Sequence, residues 1–258
     1  MDKKDVSIKP SRYKPSIQSA NSLFHFMDKV DYLLSIIEKE AMIPRYHEET
    51  TEYLKIEYKN LAYPMICFCD INLHKIASHL GYYGGYGIAF SKEWSLEKGI
   101  QPLQYINPKS PLCDDFSQTF KSAEQDSEQD SELKNYLLSQ MYYFKPIQGD
   151  MERDNKKEIK NFTDECEWRY IPDVKKDDLS QVILEEDLHR IDIFNESLLF
   201  TPNNWLRFTI DDIKHIIVKD EFDYIKIKDC IWEKEVEDLA KHYLISKIII
   251  WNNIKGDL

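Results

Sequence analysis

Two glutamates separated by one residue could perform acid chemistry in this chain. Glu165 and Glu167 belong to the stretch Glu165-Cys166-Glu167-Trp168-Arg169-Tyr170, and in a strand alternate residues share one face. Two neighbouring carboxylates repel, which raises one pKa unless a cation or a ligand lies between them. Such pairs occur at active sites, where a carboxylate stabilises an oxocarbenium-like centre while a ribosyl bond breaks. They also occur on solvated strand edges, and Arg169 is close enough in sequence to suit that alternative.

A glycine- and tyrosine-rich segment could bind a flat ligand. Four of the seven glycines fall within residues 81–87, interleaved with three tyrosines. Glycine permits positive φ and close approach of another group to the backbone. Aromatic faces beside bare backbone suit a nicotinamide or adenine ring, and the hydroxyl of Ser91 could bond an amide. We therefore expect this segment to line a pocket with at least one glycine at positive φ. The alternative is an ordinary helix-to-strand turn.

A histidine lies within an apolar stretch near the amino terminus. His25 stands between Phe24 and Phe26, where one ring nitrogen could contact a ligand while the other bonds the backbone. The alternative is a core histidine whose ring nitrogens both have protein partners. His74 and His79 are five residues apart, which does not place them on one helical face, and we expect them at the surface.

Composition limits the classes of function. The formal net charge of −12 argues against general nucleic-acid binding. No apolar run reaches the roughly 18 residues of a membrane span, and the charged residues 1–5 do not resemble a signal peptide, so we expect a cytoplasmic protein. The five cysteines should be free thiols. Cys67 and Cys69 are too close for a standard zinc site, so no metal is expected.

The hydrophobic pattern predicts short strands separated by helices of mixed length, which indicates the α+β class. Residues 1–20 should form a polar arm and residues 21–258 a single domain, with residues 112–135 as an acidic helical insertion containing a repeated Glu-Gln-Asp-Ser. The predicted strands are 23–26, 63–70, 86–90, 103–106, 142–146, 166–171, 213–218 and 248–251. The predicted helices are 30–41, ended by Pro44, then 73–80, ended by Gly81, 91–99 and 236–243.

The order of these segments resembles the AbiGi family of bacterial abortive-infection, phage-resistance proteins. The resemblance rests on Leu23-Phe24-His25-Phe26, Pro64–Ile71, Tyr83–Trp94 and Glu165–Pro172, within residues 22–110 and 160–172. It implies the antitoxin-like partner of a two-gene phage-exclusion system, with a cognate toxin.

The same order is similar to the ADP-ribosyltransferase fold, a split β-sheet core with flanking helices. That resemblance implies NAD as substrate: His25 would hold the ribose, Tyr86 would stack on nicotinamide, Glu167 would stabilise the oxocarbenium-like state and Glu165 would guide the acceptor. It also implies an NAD site completed by Phe68, Tyr83, Gly85 and Ser91.

Two functions follow as expectations. The first is an anti-phage effector that transfers ADP-ribose from NAD to a macromolecule or to water. The second is a non-catalytic antitoxin or regulator that keeps the fold without the activity. Release of nicotinamide from NAD distinguishes them.

Overall fold

The computed structural model describes residues 13–125, 132–153 and 156–257. The predicted α+β class is confirmed, because helices and several sheets are mixed along the chain. Most of the predicted polar arm and of the Glu-Gln-Asp-Ser repeat lies outside the described residues.

Fourteen strands are present in the described ranges. They are β1 (Ser22–Met27), β2 (Ala41–Met42), β3 (Arg45–Thr50), β4 (Asn60–Cys69), β5 (Tyr86–Ser91), β6 (Gln101–Pro102), β7 (Gln104–Ile106), β8 (Phe144–Pro146), β9 (Gln148–Arg153), β10 (Lys156–Asn161), β11 (Glu167–Tyr170), β12 (Leu206–Arg207), β13 (Ile213–Val218) and β14 (Ile248–Ile250).

Nine α-helices accompany them within the same ranges. They are α1 (Val30–Lys39), α2 (Ala77–Tyr83), α3 (Lys92–Glu97), α4 (Pro111–Gln125), α5 (Glu132–Met141), α6 (Ile191–Leu199), α7 (Glu221–Trp232), α8 (Asp238–Ile245) and α9 (Trp251–Ile254).

One eight-stranded sheet organises the domain. Its strand order is β14-β13-β5-β1-β4-β11-β6, with β3 also pairing with β4. The β13–β14 pair is parallel and the other pairs of this sheet are antiparallel. Three two-stranded sheets, β9–β10, β2–β12 and β7–β8, lie outside it.

The two faces of the sheet bury different helices. On the α1 face, Leu23, Ile88 and Ile216 pack in one core with residues of α1, α7 and α8. On the α2 face, Phe24 and Ala89 pack with α2 in a second core. Alternation along each strand therefore assigns every strand residue to one of these two faces.

The end of α2 differs from the sequence prediction. Gly81 lies inside the helix, and Gly84 follows its last residue with φ of +117°. A Cβ on Gly84 would come within 2.3 Å of the Met27 carbonyl oxygen and of the Asp28 Cα, whereas a Cβ on Gly81 would meet no atom within 4 Å. Gly84 is thus the glycine that the close approach of α2 to the end of β1 requires.

Several elements were not predicted because their sequences lack the expected patterns. β3 has the polar sequence Arg-Tyr-His-Glu-Glu-Thr, and β9 and β10 are similarly polar. Helix α7 was not predicted either; it begins after Asp220, the N-cap, whose side chain accepts hydrogen bonds from Phe222 N and Asp223 N.

The predicted acidic insertion corresponds to α4 and α5. Its helices are not wholly solvated, since Cys113, Phe116, Phe120, Leu137 and Met141 form a core together with Leu54 and Leu61. Among the described residues, no helix combines the length and apolarity needed to cross a membrane.

Candidate functional site

The central sheet opens between β1 and its neighbour β4. The two strands pair at Phe24 and Cys69, while β3 pairs with β4 from Arg45–Met65 to Thr50–Asn60. The β4 residues 66–68 between these pairings have partners in β11 but none in β1 or β3. β1 and β3 therefore leave a gap along β4.

His25 bridges this gap. Its ring Nδ1 lies 2.8 Å from the backbone oxygen of Cys67. Because a carbonyl only accepts, we assign the proton to Nδ1, which leaves Nε2 of the neutral ring as an acceptor. Burial lowers the pKa of His25, and the hydrogen bond to Cys67 offsets only part of that effect, so the ring is neutral at pH 7. Within the part of the chain that the structure describes, no hydrogen bond involves Nε2.

A cavity of about 440 Å³, here called the split cavity, occupies the opening. Its walls come from β1, α1, the β2–β3 region, β4 and α6. The lining residues are His25, Met27, Tyr32, Ser35, Ile36, Ala41, Met42, Ile43, Pro44, Arg45, His47, Met65, Ile66, Asp192, Asn195, Glu196 and Leu199. Phe68 is not among them: it is fully buried in the core, 5.9 Å from the His25 ring between centroids.

The two predicted catalytic glutamates lie elsewhere, on the α2 face. Glu167 is paired with Cys69, which in turn is paired with Phe24 of the α2-face core. Here a set of buried or partly buried charges, called the charged cluster, joins five segments of the chain. Its members are Glu49, Lys145, Lys160, Glu165, Glu167 and Arg169.

Lys145 bridges the two carboxylates. Its Nζ lies 2.9 Å from Glu165 Oε2 and 2.6 Å from Glu167 Oε2. The cation thus removes the repulsion that two adjacent carboxylates would otherwise experience. Lys160 adds a second cation, 2.6 Å from Glu165 Oε1.

Arg169 anchors the other side of the cluster. It is fully buried, and its Nε donates to Glu167 Oε1 at 2.6 Å while Nη2 donates to Glu49 Oε1 at 2.7 Å. Its Nη1 donates to Tyr63 Oη and to the backbone oxygen of Tyr142. These contacts satisfy the guanidinium, which has no solvent-exposed surface, as a buried charge requires.

The cations keep both carboxylates ionised. Burial by itself would raise the pKa of Glu167, but Arg169 and Lys145 outweigh it and hold the pKa well below its usual range. Burial likewise opposes ionisation of Glu165, and Lys145 and Lys160 lower its pKa overall. Neither group has the raised pKa of a general acid near neutral pH.

Beside the cluster lies a second cavity of about 340 Å³, here called the tyrosine cavity. Tyr83 donates to Glu165 Oε1, and Lys160 Nζ lies 2.7 Å from Tyr83 Oη. The lining residues are Ser78, His79, Tyr82, Tyr83, Glu158, Ile159, Lys160, Asn161, Asp164 and Glu165. The structure therefore brings Tyr83 and Glu165 together, as predicted residues of one site. His79 was expected at the surface, and this was wrong: it is buried beside Phe26 and Tyr83.

Tyr86 occupies a third location, on the α1 face. It is paired with Met27 and donates to Asp223 Oδ2 of α7 at 2.6 Å. The prediction that His25, Tyr86 and Glu167 surround one pocket is therefore wrong. Tyr86 and Glu167 project from opposite faces of the sheet, and neither lines the split cavity.

The remaining predicted ligand contacts have other surroundings. Ser91 is the N-cap of α3, and its hydroxyl accepts from Trp94 N at 3.2 Å. Gly85 does not have positive φ, and a Cβ there would touch only the Lys219 side chain at ordinary distance. The expectation of one glycine at positive φ within residues 81–87 is confirmed at Gly84. None of these glycines lines the split or the tyrosine cavity.

Sequence reasoning missed the cations that define the charged cluster. Lys145 lies between Phe144 and Pro146 in a predicted strand, and a lone lysine in an apolar strand was the available signal. Lys160 and Glu49 had no such signal, because β10 and β3 are rich in exposed polar residues. All five cysteines are unpaired in the structure.

Comparison with known proteins places the chain in a family. The family model described as abortive phage resistance protein AbiGi, antitoxin, matches residues 37–219. The abortive phage resistance protein AbiGi of Lactococcus lactis subsp. cremoris is 33% identical over 247 residues, which cover 84% of this chain and 99% of the relative. No solved structure gives a significant match. The chain belongs to the AbiGi family of abortive phage resistance proteins.

Proposed function

We propose that this AbiGi protein is the non-catalytic antitoxin of a phage-exclusion pair and acts by binding a cognate toxin. The observation that carries the proposal is the ion pairing of both candidate glutamates. Glu167 is 5% exposed and contacts Arg169 and Lys145, while Glu165 contacts Lys145 and Lys160. The antitoxin description of the family model supports the same function.

The argument against catalysis is electrostatic. A carboxylate stabilises an oxocarbenium-like centre because its charge is directed at the centre and is not offset by nearby cations. In the charged cluster, three cations surround the two glutamates. A glutamate in this setting stabilises the packing of β11 against β4 and β8. Because neighbouring cations already offset its charge, it cannot stabilise a positive centre on a substrate.

Two measurements test the antitoxin proposal: the molar ratio at which the toxin is bound and neutralised, and the release of nicotinamide from NAD. The product of the neighbouring gene would be expressed as the toxin, with and without the AbiGi chain. We expect growth rescue, co-purification at a fixed ratio, neutralisation only at or above that ratio, and no nicotinamide release from NAD. Neutralisation at substoichiometric amounts without a stable complex would contradict a binding antitoxin.

A second candidate is an effector with an ADP-ribosyltransferase-like split sheet that uses NAD. One observation favours it: the sheet opens at His25 around a cavity of ligand size. In this alternative, His25 holds the ribose within the split cavity, and Glu167, which projects from the opposite face of the sheet, takes no part. Nicotinamide release that is lost in His25→Ala and kept in Glu167→Gln, with both variants folded, would establish it over the antitoxin.

A further inference from the structure

The split cavity has a soft apolar interior. Three of the six methionines of the chain, Met27, Met42 and Met65, line it together with Ile36 and Ile66. Thioether side chains are flexible and polarisable, and they adapt to flat ring systems. The cavity volume of about 440 Å³ lies within the range of small-molecule sites. The interior thus suits a ring-containing ligand.

The polar groups of the cavity mostly accept hydrogen bonds. Nε2 of His25 is an acceptor because the ring proton is committed to the Cys67 oxygen. At the rim, Asp192 and Glu196 of α6 are exposed, and neither forms an ion pair with a residue in the described ranges. A ligand that matches these groups must bring N–H or O–H donors.

The charges of the cavity also restrict the ligand. Arg45 is the cation at the rim, against the two carboxylates Asp192 and Glu196. Burial lowers the pKa of His25, and burial together with nearby Arg45 lowers the pKa of His47 to about 4, so both rings are neutral at pH 7 and the formal balance does not favour an anion. Two other polar lining groups are already engaged: Ser35 accepts from Lys39, and Asn195 accepts from the backbone of Tyr46. The hydroxyl of Tyr32, which is exposed, is a further polar group of the lining.

We propose that the split cavity binds an uncharged nucleoside-like ligand, a nitrogen heterocycle that carries hydroxyl groups. The heterocycle lies among the methionines and donates an N–H to Nε2 of His25. The hydroxyl groups donate to Asp192 and Glu196. Because the walls belong to β1 and α1 on one side and to β3, β4 and α6 on the other, the ligand joins the two strands that diverge along β4. This site does not depend on whether the protein turns over NAD.

Calorimetric titration of the full chain with adenosine tests the site. We expect adenosine to bind and AMP to bind at least about tenfold more weakly, which is the scale of one unfavourable polar contact. His25→Asn should weaken adenosine about tenfold, because its amide can still donate to Cys67 but no longer presents the Nε2 acceptor. His215→Asn is the matched control, since His215 stacks on Phe24 on the α2 face, away from the cavity; it should not change the affinity.

A cavity-filling variant keeps the test independent of the His25 substitution. Ile36→Trp replaces a half-buried lining residue on helix α1, and it should abolish adenosine binding while the protein remains folded by circular dichroism. Absence of adenosine binding to the wild type, or unchanged binding to Ile36→Trp, would overturn the site. Tighter binding of AMP or NAD than of adenosine would overturn the uncharged ligand class.

Discussion

Tyr86 and Glu167 project from opposite faces of the same sheet, although three antiparallel pairings connect their strands. Tyr86 donates to Asp223 on the α1 face, and Glu167 contacts Lys145 and Arg169 on the α2 face. A shared substrate cannot reach both side chains. Tyr86 therefore stabilises the packing of β5 against α7, and Glu167 stabilises the charged cluster.

Tyr86→Phe should destabilise the protein modestly without affecting function. The change removes one buried hydrogen bond to Asp223, whose other carboxylate oxygen remains 2.9 Å from Lys226 Nζ. The expected loss is about 1–2 kcal/mol in the free energy of unfolding, measured by urea denaturation. Toxin neutralisation should be unchanged in the variant. A loss of neutralisation with intact stability would instead place Tyr86 in a functional site.

Glu167→Gln should destabilise strongly. The variant leaves Arg169, fully buried, with Glu49 as its remaining carboxylate partner, and removes one partner of Lys145. Breaking a buried ion pair costs about 3–5 kcal/mol. A double-mutant cycle with Arg169→Met should show strong coupling, because the second change removes the charge left behind. Full stability of Glu167→Gln would contradict a structural role for the cluster.

Gly84→Ala should be far more damaging than Gly81→Ala. At Gly84 the new methyl group would lie 2.3 Å from the Met27 carbonyl oxygen, and the backbone has φ of +117°. The expected cost is on the order of 3 kcal/mol or more from overlap and strain. At Gly81, a helical position with open space, alanine should raise stability by about 0.5–1 kcal/mol. Thermal denaturation of Gly84→Ala and Gly81→Ala measures the difference in stability. Equal melting temperatures of the two variants would contradict the prediction.

Stability should fall as the pH decreases from 7.5 to 5.5. Burial lowers the pKa values of His25, His47, His79 and His215 in the folded state below the usual value near 6.5, and that of His47 to about 4. Between the folded and unfolded pKa values the unfolded chain binds more protons, so stability rises with pH in that window. The contribution is complete above the unfolded value near 6.5 and is lost as the pH falls toward the folded value.

Urea denaturation at several pH values measures this dependence. Each fully titrating histidine contributes a slope of at most about 1.4 kcal/mol per pH unit. His25→Asn should reduce the slope by the share of one histidine, since the amide does not titrate. A stability that is flat or rises on acidification over this range would contradict the prediction.

The apolar strands could be predicted from sequence because their residues are buried on both faces. Residues 63–69 and 86–90 are apolar runs of this kind, and both lie in strands of the central sheet. β3 could not be predicted, because its side chains are largely exposed and only its pairing with β4 makes it a strand. The residues of β3 do not by themselves indicate a partner strand, because their partners in β4 lie 10 to 20 positions further along the chain.

The grouping of the candidate site residues was not predictable from the sequence. The side on which a strand residue projects depends on register, and a shift of one residue exchanges the faces. His25 and Glu167 illustrate this dependence, because their side chains project from opposite faces of the sheet. His25 is paired with Ile88 of the α1-face core, and Glu167 is paired with Cys69 on the other face. No spacing within either segment reveals the register between β1, β4 and β11.

The charged cluster also restricts how this sequence can change through evolution. Arg169 holds Glu49, Tyr63, the Tyr142 carbonyl and Glu167 at once, from four separate segments. Loss of any one charged partner leaves another charge in the interior without its ion pair. Viable lineages must therefore replace these residues together, and the set should be inherited as a unit even where the surrounding surface diverges.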